Sequence, residues 1–316
     1  MNLSLHDLLI SIYGNAPKHI PNNGKIIRFA RGDKPHSKSC WVKCNGEMAF
    51  FNDFANPTPK CGVWKSDAHN KMYNAMNEYQ KKIYHEEMAK EQERKEKEMQ
   101  LEKLIYINEQ WKLYRIEGSE NDYFKRKQVK VQSDFRYDGN DVLIPMFSNL
   151  KNKQLGGIQR IYNQPTEDNK TKIFQYKSYP TGTFYPIKGG DYKLNDSDTL
   201  FLVEGYATGY SLMELVNEYS DSKLFTVIVC FSAANVPNVA KLFRDCLSSY
   251  RSIICVPDGD RIGINYARQA ISMGADGIID ICDDGKDIND EWLSNKGNIL
   301  KYFGNHLRTI ELKDAV

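Results

Sequence analysis

The 316-residue sequence predicts a mixed α+β protein that ends in an α/β domain with a central parallel sheet. From residue 199 onward, short apolar runs alternate with segments of helical spacing, which is typical of a parallel sheet covered on both faces. Before that point, short aromatic and β-branched runs between turn residues indicate small antiparallel sheets. We therefore expect about two to three domains in a chain of this length.

Shifts in composition divide the chain into four segments. These are a small β-rich N-terminal module (1–65), a long charged helical spacer (66–117), a basic α+β subdomain (118–195) and the α/β domain (196–316). The net charge of the whole chain is only +2, so a surface for nucleic acid must be local.

The cysteine content predicts a reducing, cytoplasmic environment. Seven cysteines form no regular disulfide framework, and the first residues lack the basic start of a secretory leader. No apolar run approaches the ~20 residues that a membrane helix needs. We expect a soluble cytoplasmic protein without a membrane partner.

The N-terminal module is expected to hold a short amphipathic helix and three strands, at 25–29, 40–44 and 48–54. A zinc site is conceivable from four residues, His36, Cys40, Cys44 and Cys61. The two-residue spacing that brings paired thiolates onto one zinc ion is absent, so we favour core or hairpin cysteines. The expected role of this module is contact with nucleic acid or with a protein partner.

The spacer contains neither proline nor glycine from residue 67 to 117, which favours one long helix or two. Its apolar stripe nearly vanishes between Ala89 and Gln100, where ion pairs between successive turns would stabilise a solvated helix. A spacer is favoured over a coiled-coil dimer because no heptad persists. Gly118 is the expected end of the helix.

The subdomain after the spacer concentrates positive charge. Residues 124–193 contain thirteen Lys and Arg against six Asp and Glu, and strands are predicted at 141–147, 156–161 and 172–174. Lysines and arginines that meet phosphates release counterions, which gives salt-sensitive binding independent of sequence. A solvated basic surface is the alternative interpretation.

Acidic residues follow the apolar runs of the α/β domain. Glu204 ends the first run, Asp258 and Asp260 follow a later one, and Asp287 and Asp290 follow the last. Strands that run parallel end at one sheet edge, where crowded carboxylates are stable as anions only if something positive neutralises them. Oxygen ligands alone favour Mg²⁺ or Mn²⁺, and thus phosphoryl chemistry. The alternative is that these acids only cap helices, as Asn235 is expected to do.

Glu204-Gly205, Asp258-Gly259-Asp260 and Gly285-Lys286-Asp287 resemble the three acidic motifs of the TOPRIM domain. The variants Glu-Gly-Tyr-Ala-Thr and Gly-Lys-Asp-Ile-Asn-Asp are most similar to primases of plasmids, satellite phages and mobile elements. The resemblance implies a DNA primase that uses nucleoside triphosphates on a single-stranded DNA template. No P-loop with its Gly-Lys-Ser/Thr ending is recognisable, so a separate helicase or replication initiator is the expected partner.

The resemblance also assigns roles to individual residues. It implies catalysis by Glu204, Asp258 and Asp260, with Glu204 either a metal ligand or a proton-transfer group. The implied ligands of Mg²⁺ or Mn²⁺ are Glu204, Asp258, Asp260, Asp287 and Asp290. The residues implied to contact nucleic acid or nucleotide are Lys125, Arg126, Lys127, Arg160, Lys172 and Lys286. The segment 181–186 is similar to a loop that leads into the catalytic sheet.

Two positions depart from the replicative primases, since Thr208 and Asn289 stand where those enzymes have acids. The residues at both positions resemble those of the mobile-element primases. They leave the number of bound metal ions open. Two other functions remain open as well. A TOPRIM nuclease would use the same acids to hydrolyse phosphodiesters, and a non-catalytic adaptor would only bind single strands.

Overall fold

The computed structural model describes residues 3–55, 62–118, 120–149, 154–187, 199–218, 225–246 and 252–314, with side chains up to residue 306. The chain divides into two units, Met1–Glu96 and Lys97–Val316. In the part of the chain that the structure describes, every helix is too short or too polar to span a bilayer.

The first unit is one helix against a four-stranded antiparallel sheet. Helix α1 (Leu5–Tyr13) is followed by β1 (Ile26–Phe29), β2 (Cys40–Asn45), β3 (Met48–Asp53) and β4 (Gly62–Lys65), in the order β1-β2-β3-β4. Ser4 caps α1 by accepting a hydrogen bond from the amide of Asp7 at 3.1 Å. The three predicted strands are confirmed, and β4 is an addition that the sequence pattern did not predict.

The cysteines of β2 alternate inward. Cys40 and Cys44 are buried in the core of the first unit together with Leu9, Phe29 and Phe51, which the period of two in a strand requires. Cys61, the fourth residue of the conceivable zinc set, lies outside the described residues. Burial in this apolar core raises the pKa of both thiols above its usual value.

The predicted spacer forms two helices, α2 (Asp67–Ala75) and α3 (Glu78–Leu113). The break lies at Asn77, whose amide and side chain exchange hydrogen bonds with Gln80 at 3.0 and 2.9 Å. Such a reciprocal pair starts a new helix. The helix ends at Leu113 and not at Gly118, and Ile107 is its buried residue.

The first part of the second unit is a four-stranded antiparallel sheet in the order β5-β6-β7-β8. Helix α4 (Asp122–Lys127) precedes β5 (Arg136–Asp138), β6 (Asp141–Phe147), β7 (Leu155–Ile161) and β8 (Lys172–Phe174). The three strands predicted for this subdomain are confirmed, and the three-residue β5 was missed.

The second part is a mostly parallel sheet in the order β13-β12-β10-β11-β9. Its elements are β9 (Tyr185–Ile187), β10 (Thr199–Val203), α5 (Tyr206–Asn217), β11 (Phe225–Val229), α6 (Val236–Cys246), β12 (Ser252–Cys255), α7 (Arg261–Ser272), β13 (Gly277–Ile278) and α8 (Ile288–Asp314). Every residue of β10 and β11 is buried, as expected when both faces are covered. The predicted α+β class with a parallel sheet is confirmed.

Two details concern the edge strands of this sheet. Tyr185 and Pro186 are not in a loop but in an edge strand that pairs antiparallel with β11. The last strand has two residues, because the chain leaves the sheet after Ile278. One continuous apolar core joins both sheets of the second unit.

Candidate active site

Neighbouring parallel strands deliver the first two acids. In the register of β10 and β12, Leu202 lies opposite Cys255, so the two strands end side by side. Glu204 follows directly after β10, and Asp258 follows shortly after β12. Both carboxylates are therefore placed at the carboxyl edge of the sheet, where open α/β sheets hold their ligands.

Gly259 brings the third acidic motif to the same edge. Its amide donates to the carbonyl of Lys286 at 2.7 Å, and its carbonyl accepts from the amide of Gly285 at 2.7 Å. A Cβ on Gly259 would lie only 2.1 Å from the carbonyl oxygen of Asp283, so a side chain here would push the two loops apart. Glycine at this position lets the loops meet, which sets Asp287 beside Asp258.

Some of these acids also cap helices, as the alternative interpretation held. An oxygen of Asp260 accepts from the amide of Gly263 at the start of α7, at 2.6 Å. Asp287 and Asp290 form a reciprocal cap at the start of α8, with hydrogen bonds of 2.8 and 3.4 Å. Each cap occupies one carboxylate oxygen of Asp260 or Asp287, so the caps fix these side chains in place.

Burial and mutual repulsion raise the pKa values of the two central carboxyls. Burial, followed by the negative charges of Glu204 and Asp287, raises the pKa of Asp258 to about 7. Burial also raises the pKa of Glu204, while the positive charge of Lys172 and the amide of Ala233 act in the opposite direction. The charges of these acids therefore add to the effect of burial on one another's ionisation.

The site fits a divalent cation by its donor chemistry. The Oδ1 atom of Asp258 is buried and has no hydrogen-bond partner among the described residues, although buried carboxylate oxygens are normally satisfied by protein, water or an ion. Asp258 and Glu204 line a small cleft of about 10 Å³, roughly the space of one water molecule. Within the described residues, no three His, Cys, Asp or Glu side chains are already arranged as a ligand group for a metal ion.

The turn after β11 supplies a further contact to the site. Phe231 adopts a left-handed conformation at φ 69°, and the backbone amide of Ala233 then donates to Glu204. Asn235 does not act as the expected helix cap. Its side chain donates to the carbonyls of Thr183 and Cys230, both at 2.8 Å, and accepts from the amide of Gly182 at 2.7 Å. It locks this turn to the chain before β9.

Lys172 is the basic residue that faces the acids. Its Nζ atom would lie 3.7 Å from a Cβ built on Gly205, directly after Glu204. Its positive charge acts against the rise in the pKa of Glu204 and of Asp258, which burial causes. Lys172 has no carboxylate within ion-pairing distance among the described side chains, and it is exposed to solvent.

Arg160, the other basic residue expected to contact phosphate, points elsewhere. In the sheet register Arg160 lies opposite Ile173, whereas Lys172 lies opposite Ile161, so the two basic side chains project from opposite faces. The guanidinium of Arg160 is ion-paired with Asp138 and with Asp141, the latter at 2.8 Å. The structure does not bring Arg160 and Lys172 together.

Three further basic residues of the expected set, Lys125, Arg126 and Lys286, have partners close to them in sequence. Lys125 is ion-paired with Glu120, and the guanidinium of Arg126 lies 5.6 Å from the ring centre of Tyr123. Lys286 pairs with Asp283 at 2.9 Å and with Glu291 at 3.0 Å.

Lys127 reaches the acidic edge, by which we mean the carboxyl edge of the parallel sheet with Glu204, Asp258, Asp287 and Asp290. Its spacing in the sequence could not show this contact. Its Nζ atom lies 2.8 Å from Asp290 and 3.7 Å from Asp287. Asn289, fully buried, donates to the carbonyl of Lys127 and to Ser211 Oγ, both at 2.8 Å. An ionised aspartate could make neither donation, which explains why asparagine suits this position.

Similarity to known proteins is found in structure and not in sequence. No protein-family model matches this chain, and no curated protein matches it. Among solved structures, the chain is similar to the primase fragment of the bacteriophage T7 primase-helicase protein, with 14% identity, a TM-score of 0.38, and 54% of this chain and 66% of that chain covered.

Two DnaG structures are also similar. The DnaG catalytic core has 14% identity, a TM-score of 0.34, and 56% of this chain and 61% of that chain covered. The DnaG primase catalytic domain bound to ssDNA has 15% identity, a TM-score of 0.35, and 58% and 63% covered. The alignment spans less than two thirds of each of these three proteins.

Proposed function

We propose that this chain is a TOPRIM-type DNA primase of the kind found in plasmids, satellite phages and mobile elements. It would make short primers on single-stranded DNA from nucleoside triphosphates. The observation that carries the proposal is the meeting of Glu204, Asp258 and Asp287 at one sheet edge, opposite Lys172. The unpartnered buried oxygen of Asp258 supports a cation at this edge.

Primer synthesis joins two nucleotides by attack of a 3′-hydroxyl on an α-phosphate, with pyrophosphate as the leaving group. A bound Mg²⁺ or Mn²⁺ would make the hydroxyl more acidic and stabilise the charge that develops on the phosphates. Asp258 and Glu204 are the best ligands, with Asp260 and Asp287 beside them. Asp290 is a weaker candidate, because its two oxygens already accept from Lys127 and from the amide of Asp287.

Lys172 would contact a phosphate group of the nucleotide or of the growing primer. Its ammonium faces the carboxylates without being ion-paired to any of them, so it can meet an anion that enters between them. A fixed positive charge beside developing negative charge stabilises a transition state. The surrounding basic segment supports weaker contacts to the template backbone, and a separate helicase or initiator would open the duplex.

The test is a primer assay with purified full-length protein, single-stranded DNA, labelled nucleotides and Mg²⁺ or Mn²⁺. We expect ladders of short products. Asp258→Asn and Glu204→Gln keep the side-chain shape and should abolish the ladders while leaving DNA binding in place. Asp280→Asn, an exposed acid in the same unit, is the matched control.

Each other outcome points to a different function. Shortened DNA without ladders would identify a nuclease that uses the same acids. A mobility shift with neither product would identify a single-strand-binding adaptor. Ladders that persist in Asp258→Asn would show that the chemistry takes place elsewhere in the chain, and would overturn the assignment of this site.

A further inference from the structure

The carboxylates of the acidic edge form two pairs with different surroundings. Glu204 and Asp258 follow the neighbouring strands β10 and β12, and we call them the strand pair. Asp287 and Asp290 lie at the start of α8, and we call them the helix pair. A cation is attracted most strongly to negative charge that nothing else compensates. The compensation of each pair therefore indicates how many cations the edge can hold.

The helix pair already has two sources of positive charge. The amide of Asp290 donates to Asp287 at 2.8 Å and the amide of Asp287 donates to Asp290 at 3.4 Å, both at the positive end of the α8 dipole. The ammonium of Lys127 lies 2.8 Å from Asp290 and 3.7 Å from Asp287. Two backbone amides and one ammonium thus compensate two carboxylates.

Lys127 is held in this position by its backbone as well as by its ammonium. Its side chain is only 21% exposed, and its carbonyl accepts from the side-chain amide of Asn289 at 2.8 Å. Asn289 lies between the two acids of the helix pair and is fully buried. Helix α8 therefore carries both the acids and the residue that fixes the backbone of their counter-ion.

The strand pair has no comparable partner among the described residues. The Oδ1 atom of Asp258 is buried and unpartnered there, and Glu204 accepts a hydrogen bond from the amide of Ala233. Lys172 acts on both carboxylates through space but lies beyond ion-pairing distance of them. The negative charge of the strand pair is therefore left largely uncompensated.

We propose that the acidic edge binds one divalent cation, on the strand pair, and that the ammonium of Lys127 takes the place of a second cation on the helix pair. Sites with two cations hold them about 3.5–4 Å apart. A cation on the helix pair would have to displace Lys127 or lie beside it. The repulsion between a divalent cation and an ammonium is twice that between two single charges at the same distance. The lysine supplies a fixed positive charge at this edge without a second ion.

This inference rests on the proposed function, which places a cation at the acidic edge. The experiment counts the Mn²⁺ ions bound to the full-length protein without DNA or nucleotides, so its result does not depend on primer synthesis. Unbound Mn²⁺ is measured by electron paramagnetic resonance during a titration, and the difference from total Mn²⁺ gives the number bound per chain. One bound Mn²⁺ without primer ladders would contradict the proposed function alone. Ladders from a chain that binds two would contradict this inference alone.

The wild-type chain should bind one Mn²⁺, and Asp258→Asn should bind none. Lys127→Met should bind two, because the helix pair then lacks its counter-ion. Adding Asp287→Asn to Lys127→Met should return the count to one, since the second ion loses a ligand. Lys125→Met is the matched control on the same helix, where Lys125 is paired with Glu120, and it should bind one. A count of two in wild type, or of one in Lys127→Met, would overturn the proposal.

Asp287→Asn alone makes the test independent of any folding defect in Lys127→Met. Asparagine can still accept from the amide of Asp290, so the start of α8 keeps its cap. We expect this variant to bind one Mn²⁺, because the proposed ligands Glu204 and Asp258 are unchanged. Loss of the bound ion would show that Asp287 is one of its ligands, and would overturn the assignment of the helix pair to Lys127.

Discussion

Arg160 and Lys172 lie on neighbouring strands of one antiparallel sheet and project from its opposite faces. Arg160 is mostly buried and ion-paired with two aspartates, whereas Lys172 is exposed and faces acids that it only influences through space. The charge of Arg160 is thus used to hold β5, β6 and β7 together. The charge of Lys172 remains available to a ligand, so equal formal charges in one segment have different uses.

The largest effect that we expect is on the rate of primer synthesis when Lys172 is substituted. We expect Lys172→Ala to reduce the rate of primer synthesis by about 10²- to 10³-fold, the loss typical of removing one group that stabilises developing charge. The unfolding free energy should change by less than about 0.5 kcal/mol, because the side chain is exposed and makes no ion pair with another described residue. Initial rates and urea unfolding measure both quantities.

The control for Lys172 lies two residues earlier. Lys170 is exposed and pairs with Asp168, away from the acids, so Lys170→Ala should keep the wild-type rate. If Lys172→Ala kept its rate as well, the face of the sheet that borders the acids would have no role in the chemistry, and the contrast with Arg160 would fail.

Arg160 should show the opposite behaviour. Arg160→Met leaves Asp138 and Asp141 without their cation, and we expect a loss of about 2–3 kcal/mol in the unfolding free energy. Adding Asp141→Asn should recover part of that loss, which a double-mutant cycle in urea detects. A variant with lost activity but unchanged stability would instead place Arg160 in the chemistry.

The acidic edge predicts a pH dependence of stability in the absence of metal. The folded protein holds the pKa of Asp258 at about 7, well above that of an unfolded chain, so the folded state binds the extra proton between about pH 4 and 7. Unfolding free energy therefore falls as pH rises through this range. Asp258→Asn removes the penalty and should be more stable than wild type by roughly 4 kcal/mol at pH 8, but not at pH 4.

Urea unfolding in EDTA at the two pH values measures this difference. Mg²⁺ added at pH 8 should raise the Tm of wild type and leave that of Asp258→Asn nearly unchanged, because the cation replaces the missing proton. Equal stability of the two proteins at pH 8 would show that ionised Asp258 does not destabilise the folded state. A wild-type Tm that does not change when Mg²⁺ is added would argue against a cation at this edge.

Sequence reasoning located the acids because their position follows from a simple rule. Apolar runs that end in Glu204 and Asp258 are parallel strands, and parallel strands share one carboxyl edge. This placement depends on local pattern alone. The close approach of two loops at Gly259, by contrast, is visible only in the structure, where its backbone contacts that of Lys286.

The partners of the basic residues could not be read in the same way. Lys127 and Asp290 are 163 positions apart, and Arg160 meets Asp138 and Asp141 only because β5, β6 and β7 pair in one register. Very short strands such as β5 and β9 leave too few residues for a period of two to be recognised. Whether a lysine is paired or available is therefore a property of the tertiary structure.

Lys127 shares features with both Arg160 and Lys172, and its substitution should give the smallest effect. It is ion-paired like Arg160, yet its partners Asp290 and Asp287 border the proposed cation site like Lys172. Lys127→Met removes one positive charge from that edge, which should strengthen the attraction for Mg²⁺ by about 0.5–1 kcal/mol at the high effective dielectric of a partly exposed site. The Mg²⁺ concentration that gives half of the rise in Tm should then fall about two- to fivefold.

Lys127→Arg keeps the charge and should need the same Mg²⁺ concentration as wild type. If Lys127→Met needed more Mg²⁺ than wild type, the lysine would act mainly by holding Asp287 in place, and its role would match that of Arg160.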